Sequence, residues 1–440
     1  MRRLHPSAPI RIAHIGLGAF FKAHQAFYTS EVDEQHDWGI AAFSGRGSEV
    51  VKDLNSQDCV YTLIERDFSS DQIRQIESIS AAYEGSNEKI FCNLFEDEKL
   101  AIVTITITEA GYRLNSNGDL NRLDPVIQED LSLFSDNEFP SSALFRIAFG
   151  LRKRMIRNSG KIAIIPCDNF PNNGETVKRA VYEIFNEFEE SAIEWLEENV
   201  SFVSTSVDRI TPKLVDSDRA HLSSRLGIKD KSIVVTENYS SWVLCGSFPN
   251  GRPEWEKAGA EFVTDIKPYE SRKLWFLNGA HSLIAYQGLN KGYMTVGEAI
   301  QDSEINHAVE CWWDEAEKVL INPALELTKY RSAIMNRFRN PSIRHELAQI
   351  AIDGSIKLPL RILPVARQTK TPTASAFVIA QWIKWVSTQN DLLDTRNSEI
   401  QLVKNSLHDL IKLLDSSLAD SNFTSLVRGC LESDYLRVNK

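Results

Sequence analysis

The chain has 440 residues, a length that predicts two domains rather than one. With 42% apolar and 25% charged residues it reads as a soluble globular protein, and its net charge of −11 argues against a nucleic-acid or anionic-membrane surface. An anionic substrate would have to be met by cations gathered locally against that field.

Six cysteines (Cys59, Cys92, Cys167, Cys245, Cys311 and Cys430) stand at wide, irregular spacings without a CxxC pair. That pattern speaks against a disulfide frame or a structural zinc site and predicts reduced thiols in a cytoplasmic protein. The opening MRRLHPSAPIRIAHIG is basic without an apolar signal core. No run of about 18 apolar residues occurs, so no membrane span is expected.

The first half alternates strand-like and helix-like segments. RIAHIGLG (11–18) leads into AFFKAHQAFYTSEV, which has helical character. Further strand-like runs are WGIAAFSG (38–45), AIVTITITEAGY (101–112), KIAIIPCDNF (161–170), VSFVSTSVDRITP (200–212) and SIVVTENY (232–239). Several are β-branched and apolar on both faces, as in a sheet covered by helices on both sides. This predicts an α/β fold with a Rossmann-type doubly wound parallel sheet over residues 1–265. After DIKPYES (265–271), which contains Pro268, the spacing turns helical in KLWFLNGAHSLIAYQG, EINHAVECWWDEAEKVL, SIRHELAQIAI, SAFVIAQWIKWVS and SEIQLVKNSLHDLIKLLDSSL. A mostly α-helical domain is expected over residues 266–440.

Gly16 and Gly18 follow the first strand, where paired glycines allow a tight turn and a close backbone approach to a pyrophosphate. The third glycine of GxGxxG is absent, its place taken by Phe21, so an ordinary strand–helix turn competes with this reading. Gly16, Gly18 and the neighbouring Phe20 form the expected cofactor-binding turn. The second strand ends in Phe43-Ser44-Gly45-Arg46-Gly47-Ser48, with no acid before Glu49. Arg46 would suit a ribose 2′-phosphate or stack on the adenine of plain NAD, which leaves NAD and NADP both open.

KLWFLNGAH (273–281) is mostly apolar yet contains Lys273, Asn278 and His281. On a wheel of about 100° per residue, His281 lies near 80° and Asn278 near 140° from Lys273, with Leu277 and Leu274 between them. A lysine buried on such a face costs several kcal/mol unless it is partnered or used.

The motifs GLGAFFKAHQAFYT, TITEAGY, CDNFPNNG, VDRITP, NGRPEWEKAGAEFV and KLWFLNGAHSLIAYQG, in that order, resemble the polyol-specific long-chain dehydrogenase family. That family includes mannitol 2-dehydrogenases and the reductases of fructuronate and tagaturonate. The resemblance runs along nearly the whole chain and implies a metal-independent reaction with NAD or NADP, at a site between a Rossmann-type and a helical domain. It implies Lys273 as the catalytic lysine, Asn169 and Asn278 as oxyanion donors, and His281 as a group that orients substrate.

The chemistry is coherent. Desolvation favours the neutral form of a lysine, which can then accept a hydroxyl proton. Amide N–H groups stabilise the developing alkoxide. By resemblance Glu109, placed with the cofactor-binding residues, and Glu270, the expected proton relay, are candidates to pass that proton to water. A salt bridge or a cap is the competing role for each.

The stretch NPSIRHELAQIAIDGSIKLPLRILP (340–364) resembles the uronate-reductase branch and supplies Arg344, His345, Lys357 and Arg361. A carboxylate favours a bidentate arginine, with lysine as a point charge. Pairing with Glu346, Asp353 or helix ends is the alternative. Asp208 in VDRITP is the expected acceptor for substrate hydroxyls. The implied reaction is D-fructuronate to D-mannonate, reversibly. Oxidation of mannitol or another polyol such as D-arabinitol is the competitor, and a non-catalytic dinucleotide sensor is the reading from another class. A small sugar acid or polyol is the expected partner, with neither nucleic acid nor membrane, and the chain a monomer or weak homo-oligomer.

Overall fold

A computed structural model describes residues 1–45, 47–67, 70–115, 117–340, 345–419 and 422–432. Arg46 and Arg344 lie outside the described residues. The chain divides into two compact units, Met1–Lys267 and Pro268–Lys440.

The first unit contains twelve strands among the described residues. In chain order they are β1 (Ile10–Ile15), β2 (Gly39–Phe43), β3 (Tyr61–Arg66), β4 (Gln72–Ile76), β5 (Ile79–Tyr83) and β6 (Ile102–Ile105). Then come β7 (Ile162–Pro166), β8 (Val200–Phe202), β9 (Ser204–Asp208), β10 (Val234–Glu237), β11 (Ser241–Cys245) and β12 (Glu261–Phe262). A six-stranded sheet runs β5-β2-β1-β6-β7-β8 with every neighbouring pair parallel. Its order reverses direction between β1 and β6, the switch point at which doubly wound sheets bind ligands.

Side chains along each strand alternate between the two faces. Ile12, Ile40, Ala42, Ile102 and Ile165 enter one core, and Ala13, Ile15, Phe43, Val103 and Ile164 the other. Both faces are therefore dry, which explains strands that read as continuous apolar runs.

Two strand-like runs fold differently from their expected places in one sheet. VSFVSTSVDRITP breaks at Val203: β8 joins the main sheet, while β9 pairs antiparallel with β11 in a sheet ordered β12-β11-β9. SIVVTENY becomes β10, which pairs with β3 in a sheet ordered β10-β3-β4. Pairing partners are chosen by tertiary packing, and β propensity carries no information about which edge is free.

The second unit is helical. Among its described residues the only β feature is an isolated bridge between Thr295 and Glu346. Its axis is the helical run that starts at Lys267, the last residue of the first unit, and ends at Asn290, and helices Ser303–Glu317, Leu347–Ala351 and Thr373–Thr388 pack on the Ala280–Asn290 stretch. The axis is not a uniform α-helix: Lys273–Gly279 is a π-helix between α-helical Lys267–Arg272 and Ala280–Asn290. The wheel of about 100° per residue therefore does not apply to the KLWFLNG segment. Among the described residues no helix is long and apolar enough to cross a membrane.

Candidate active site

In the first unit the candidate site begins where β1 ends. Gly16 N–H and Leu17 N–H both donate to the Phe43 carbonyl, at 3.0 and 2.9 Å, which pins the turn to the end of β2. Gly16 has φ +109°, and a Cβ there would sit 1.9 Å from the Thr106 carbonyl oxygen beyond β6. No other residue fits that wedge. Gly18 differs. Its backbone is extended, with φ −138°, and a Cβ would meet nothing nearer than the Gly16 carbonyl oxygen at 3.6 Å. The space beside Gly18 is open, as a cradle for a phosphate requires.

Beneath the turn, His14 Nδ1 lies 2.8 Å from Thr104 Oγ1 and Nε2 3.0 Å from Thr106 Oγ1. The Thr106 hydroxyl donates to the Gly16 carbonyl at 2.9 Å, so it accepts from His14 Nε2–H. Burial pushes the His14 pKa down to about 3. The Phe21 ring stacks on it at 3.5 Å between centroids, filling the position where GxGxxG has a glycine. The half-buried Phe20 stacks on His24 at 5.0 Å.

The β7 end is built around Asp168. Its carboxylate accepts from Ile107 N–H at 3.0 Å, Thr108 N–H at 2.8 Å and the Tyr112 hydroxyl at 2.7 Å, tying this loop to the one after β6. Burial raises its pKa against the pull of those bonds. Asn173, fully buried, donates to the Asp168 carbonyl at 3.1 Å and the Thr205 carbonyl at 2.9 Å, and accepts from Thr205 N–H at 2.8 Å. Asn169 is presented between these two anchors and is exposed. Sequence reasoning picked out Asn169 and passed over Asp168 and Asn173, although all three lie within CDNFPNN.

Glu109 is exposed and opens the 3-10 helix Glu109–Tyr112, four residues beyond the end of β6 rather than on the strand. Asp208 closes β9 and is half-buried. Its neighbour Arg209 is buried and engaged with Glu65, the Glu237 carbonyl and the Ala23 carbonyl.

In the second unit Lys273 opens the π-helix, half-buried, and Asn278 lies near its end, also half-buried. His281 is buried in the following α-helix, its ring 4.8 Å from those of both Phe338 and His345. Burial lowers the His281 pKa well below its ordinary value, and His345, Arg337 and Arg361 add to the effect. His345 is lowered by burial and then by Arg337. Arg337 was not singled out from the sequence; it lies just upstream of the stretch read for cations.

Arg361 reaches the same axis. Its Nη1 donates to Ser282 Oγ at 3.2 Å and to the Asn278 carbonyl at 3.4 Å. Lys357, one turn earlier on helix Gly354–Arg361, donates to the Ile350 carbonyl at 3.3 Å. Glu270 is buried three residues before Lys273. Among the described residues no three His, Cys, Asp or Glu side chains are grouped to hold a metal ion.

Two family models match the chain: the mannitol dehydrogenase Rossmann domain over residues 10–257 and the mannitol dehydrogenase C-terminal domain over residues 265–417. The oxidoreductase YeiQ of Escherichia coli (strain K12) is 34% identical over 95% of this chain and 86% of its own. The D-mannonate oxidoreductase of the same organism is 33% identical over 93% of this chain and 86% of its own. Among solved structures, the Pseudomonas fluorescens mannitol 2-dehydrogenase in ternary complex with NAD and D-mannitol superposes with a TM-score of 0.80 at 30% identity, covering 98% of this chain and 92% of that one. With both of its domains matched, the chain belongs to the mannitol dehydrogenase family and is a dehydrogenase.

Proposed function

We propose that the chain catalyses reversible hydride transfer between NAD or NADP and C2 of a sugar acid, reducing D-fructuronate to D-mannonate. The observation that carries the acid reading is Arg361, whose guanidinium lies on the carbonyl of Asn278 and the hydroxyl of Ser282, on the helical run that carries Lys273 and His281. A cation so placed in a protein of net charge −11 fits recognition of a carboxylate. Lys357 and Arg337 add positive charge in the same unit, and the D-mannonate oxidoreductase relative supports the reading. The mannitol 2-dehydrogenase structure supports a second reading, in which a neutral polyol such as mannitol is the substrate.

The open space at Gly18 and the wedge at Gly16 fit a dinucleotide pyrophosphate, with the nearby backbone N–H groups as donors. A nicotinamide bound there would supply or accept the hydride. In the oxidation direction Lys273 Nζ accepts the proton of the C2 hydroxyl. The Asn278 side-chain amide donates to the oxygen as charge develops on it, the role that the family resemblance also gives Asn169. His281, neutral through burial, hydrogen-bonds an adjacent substrate hydroxyl, and Asp208 accepts from another. Glu270 passes the proton on to water.

The test is the initial rate of NADH and NADPH oxidation with D-fructuronate, D-tagaturonate, D-fructose and D-xylulose, for wild type and Arg361→Ala. The acid reading predicts a uronate preference that Arg361→Ala reduces by roughly 10- to 100-fold, since losing a charged hydrogen bond costs about 1.5–3 kcal/mol. An unchanged acid-to-polyol ratio would remove Arg361 from carboxylate binding, and a fructose preference would favour the polyol reading.

A further inference from the structure

The π-helix Lys273–Gly279 needs an explanation. A π-helix bonds each N–H to the carbonyl five residues back, and stretches of it are rare. Where such a ladder returns to four-residue steps it skips a carbonyl. A buried carbonyl left without a donor is costly, so an outside donor is required.

Among the described residues three side-chain donors reach this segment: Arg361, on the Asn278 carbonyl, and two indoles. Trp312 Nε1 donates to the Trp275 carbonyl at 2.8 Å, and Trp313 Nε1 donates to the Phe276 carbonyl at 2.8 Å. Adjacent residues of one helix thus serve adjacent carbonyls of another, and both indoles are fully buried. Gly279 admits the Trp312 ring: a Cβ there would lie 2.9 Å from two of its ring atoms. The donor helix is itself anchored, because the buried Glu315 accepts from Ala374 N–H at 2.8 Å and Ser375 N–H at 3.0 Å at the start of helix Thr373–Thr388.

The π form matters for geometry. In an α-helix Asn278 would stand about 140° around the axis from Lys273. In a helix bonded five residues apart, a residue five places on lies slightly more than one turn along, close to the same side. We propose that Trp312 and Trp313 are positioning residues: their indole N–H groups hold residues 273–279 in the π form and so set Lys273 and Asn278 on one face. This rests on the reading of Lys273 as proton acceptor and Asn278 as oxyanion donor.

Trp312→Phe and Trp313→Phe keep an aromatic ring and delete the donor. Each is expected to lower kcat roughly 10- to 100-fold with KM changed by less than about threefold. In a Lys273→Ala background the same changes should cost less than about threefold, because the lysine they align is gone. Trp255→Phe, which deletes a buried indole bond to Thr29 Oγ1 of 3.1 Å in the first unit, is the control that lowers the melting temperature without lowering kcat. Trp→Phe variants that melt earlier but keep wild-type kcat would overturn the positioning role. So would equal losses of kcat with and without Lys273. If either variant does not fold, benzothienylalanine at that position, which has sulfur in place of the N–H, gives the same comparison. Wild-type turnover by Lys273→Ala would instead sink the reading of Lys273 itself, whatever the indole variants do.

Discussion

Gly16 and Gly18 look interchangeable in IGLG, and the structure predicts opposite consequences for replacing them. Gly16→Ala would put a Cβ 1.9 Å from the Thr106 carbonyl oxygen and 2.6 Å from its carbon, on a backbone with φ +109°. A strained φ costs about 1–3 kcal/mol and overpacking against fixed backbone about 1–3 kcal/mol more. The sum, about 2–6 kcal/mol, is a large part of a domain's stability. Gly18→Ala meets no atom closer than 3.6 Å, on an extended backbone that alanine adopts freely. It should stabilise the free protein by about 0.4–1 kcal/mol through the unfolded chain.

The same methyl group at Gly18 projects into the space assigned to the pyrophosphate, so cofactor affinity should fall by roughly tenfold or more, about 1.4 kcal/mol. Denaturant unfolding of the free variants and titration with NAD and NADP separate the two effects. A Gly18→Ala protein that binds both dinucleotides as wild type does would refute the phosphate cradle. A Gly16→Ala protein of wild-type stability would refute the wedge.

The buried neutral His14 makes stability depend on pH. Its folded pKa is about 3 against 6.5 unfolded, so the unfolded chain takes up a proton below pH 6.5 that the folded chain refuses. Stability is intact above about 6.5 and declines as pH falls towards 3, with about 2 kcal/mol lost from this residue by pH 5. Unfolding free energies of wild type and His14→Gln at pH 7 and 5 should show the shallower loss in the variant; equal losses would contradict a neutral His14. Asp168→Ala removes the acceptor of two backbone N–H groups and the Tyr112 hydroxyl and should cost about 3–5 kcal/mol. A cost under about 1 kcal/mol in urea would show that the loop carrying Asn169 is held by other means.

The doubly wound sheet was legible because β1, β2, β6 and β7 are apolar on both faces, and only a sheet covered on both sides buries them so. β5, which also joins that sheet, was not: ISAAY is too rich in small residues to stand out. β4, with QIRQI largely exposed, was hidden for the opposite reason. Lys273, Asn278 and His281 stood out as polar groups in an apolar segment and Gly16 as one of two close glycines after a strand, while Asn169 and Arg361, and the roles of Lys273, Asn278 and His281, came from the family resemblance. Asp168, Asn173, Trp312 and Trp313 could not be named, because an acid, an amide or an indole in those places is ordinary until its partners are known.

The sequence by itself thus determined the α/β and helical fold class, since periodicity and composition are local properties, while the candidate side chains were proposed chiefly from the motifs it shares with the family. Tertiary structure alone decided that KLWFLNG winds as a π-helix, that Arg361 reaches the Asn278 carbonyl, and that Asp168 binds the loop after β6. Each depends on donors and acceptors tens of residues apart in the chain. A helix can leave its preferred winding only where such distant groups satisfy the carbonyls that the local ladder no longer serves.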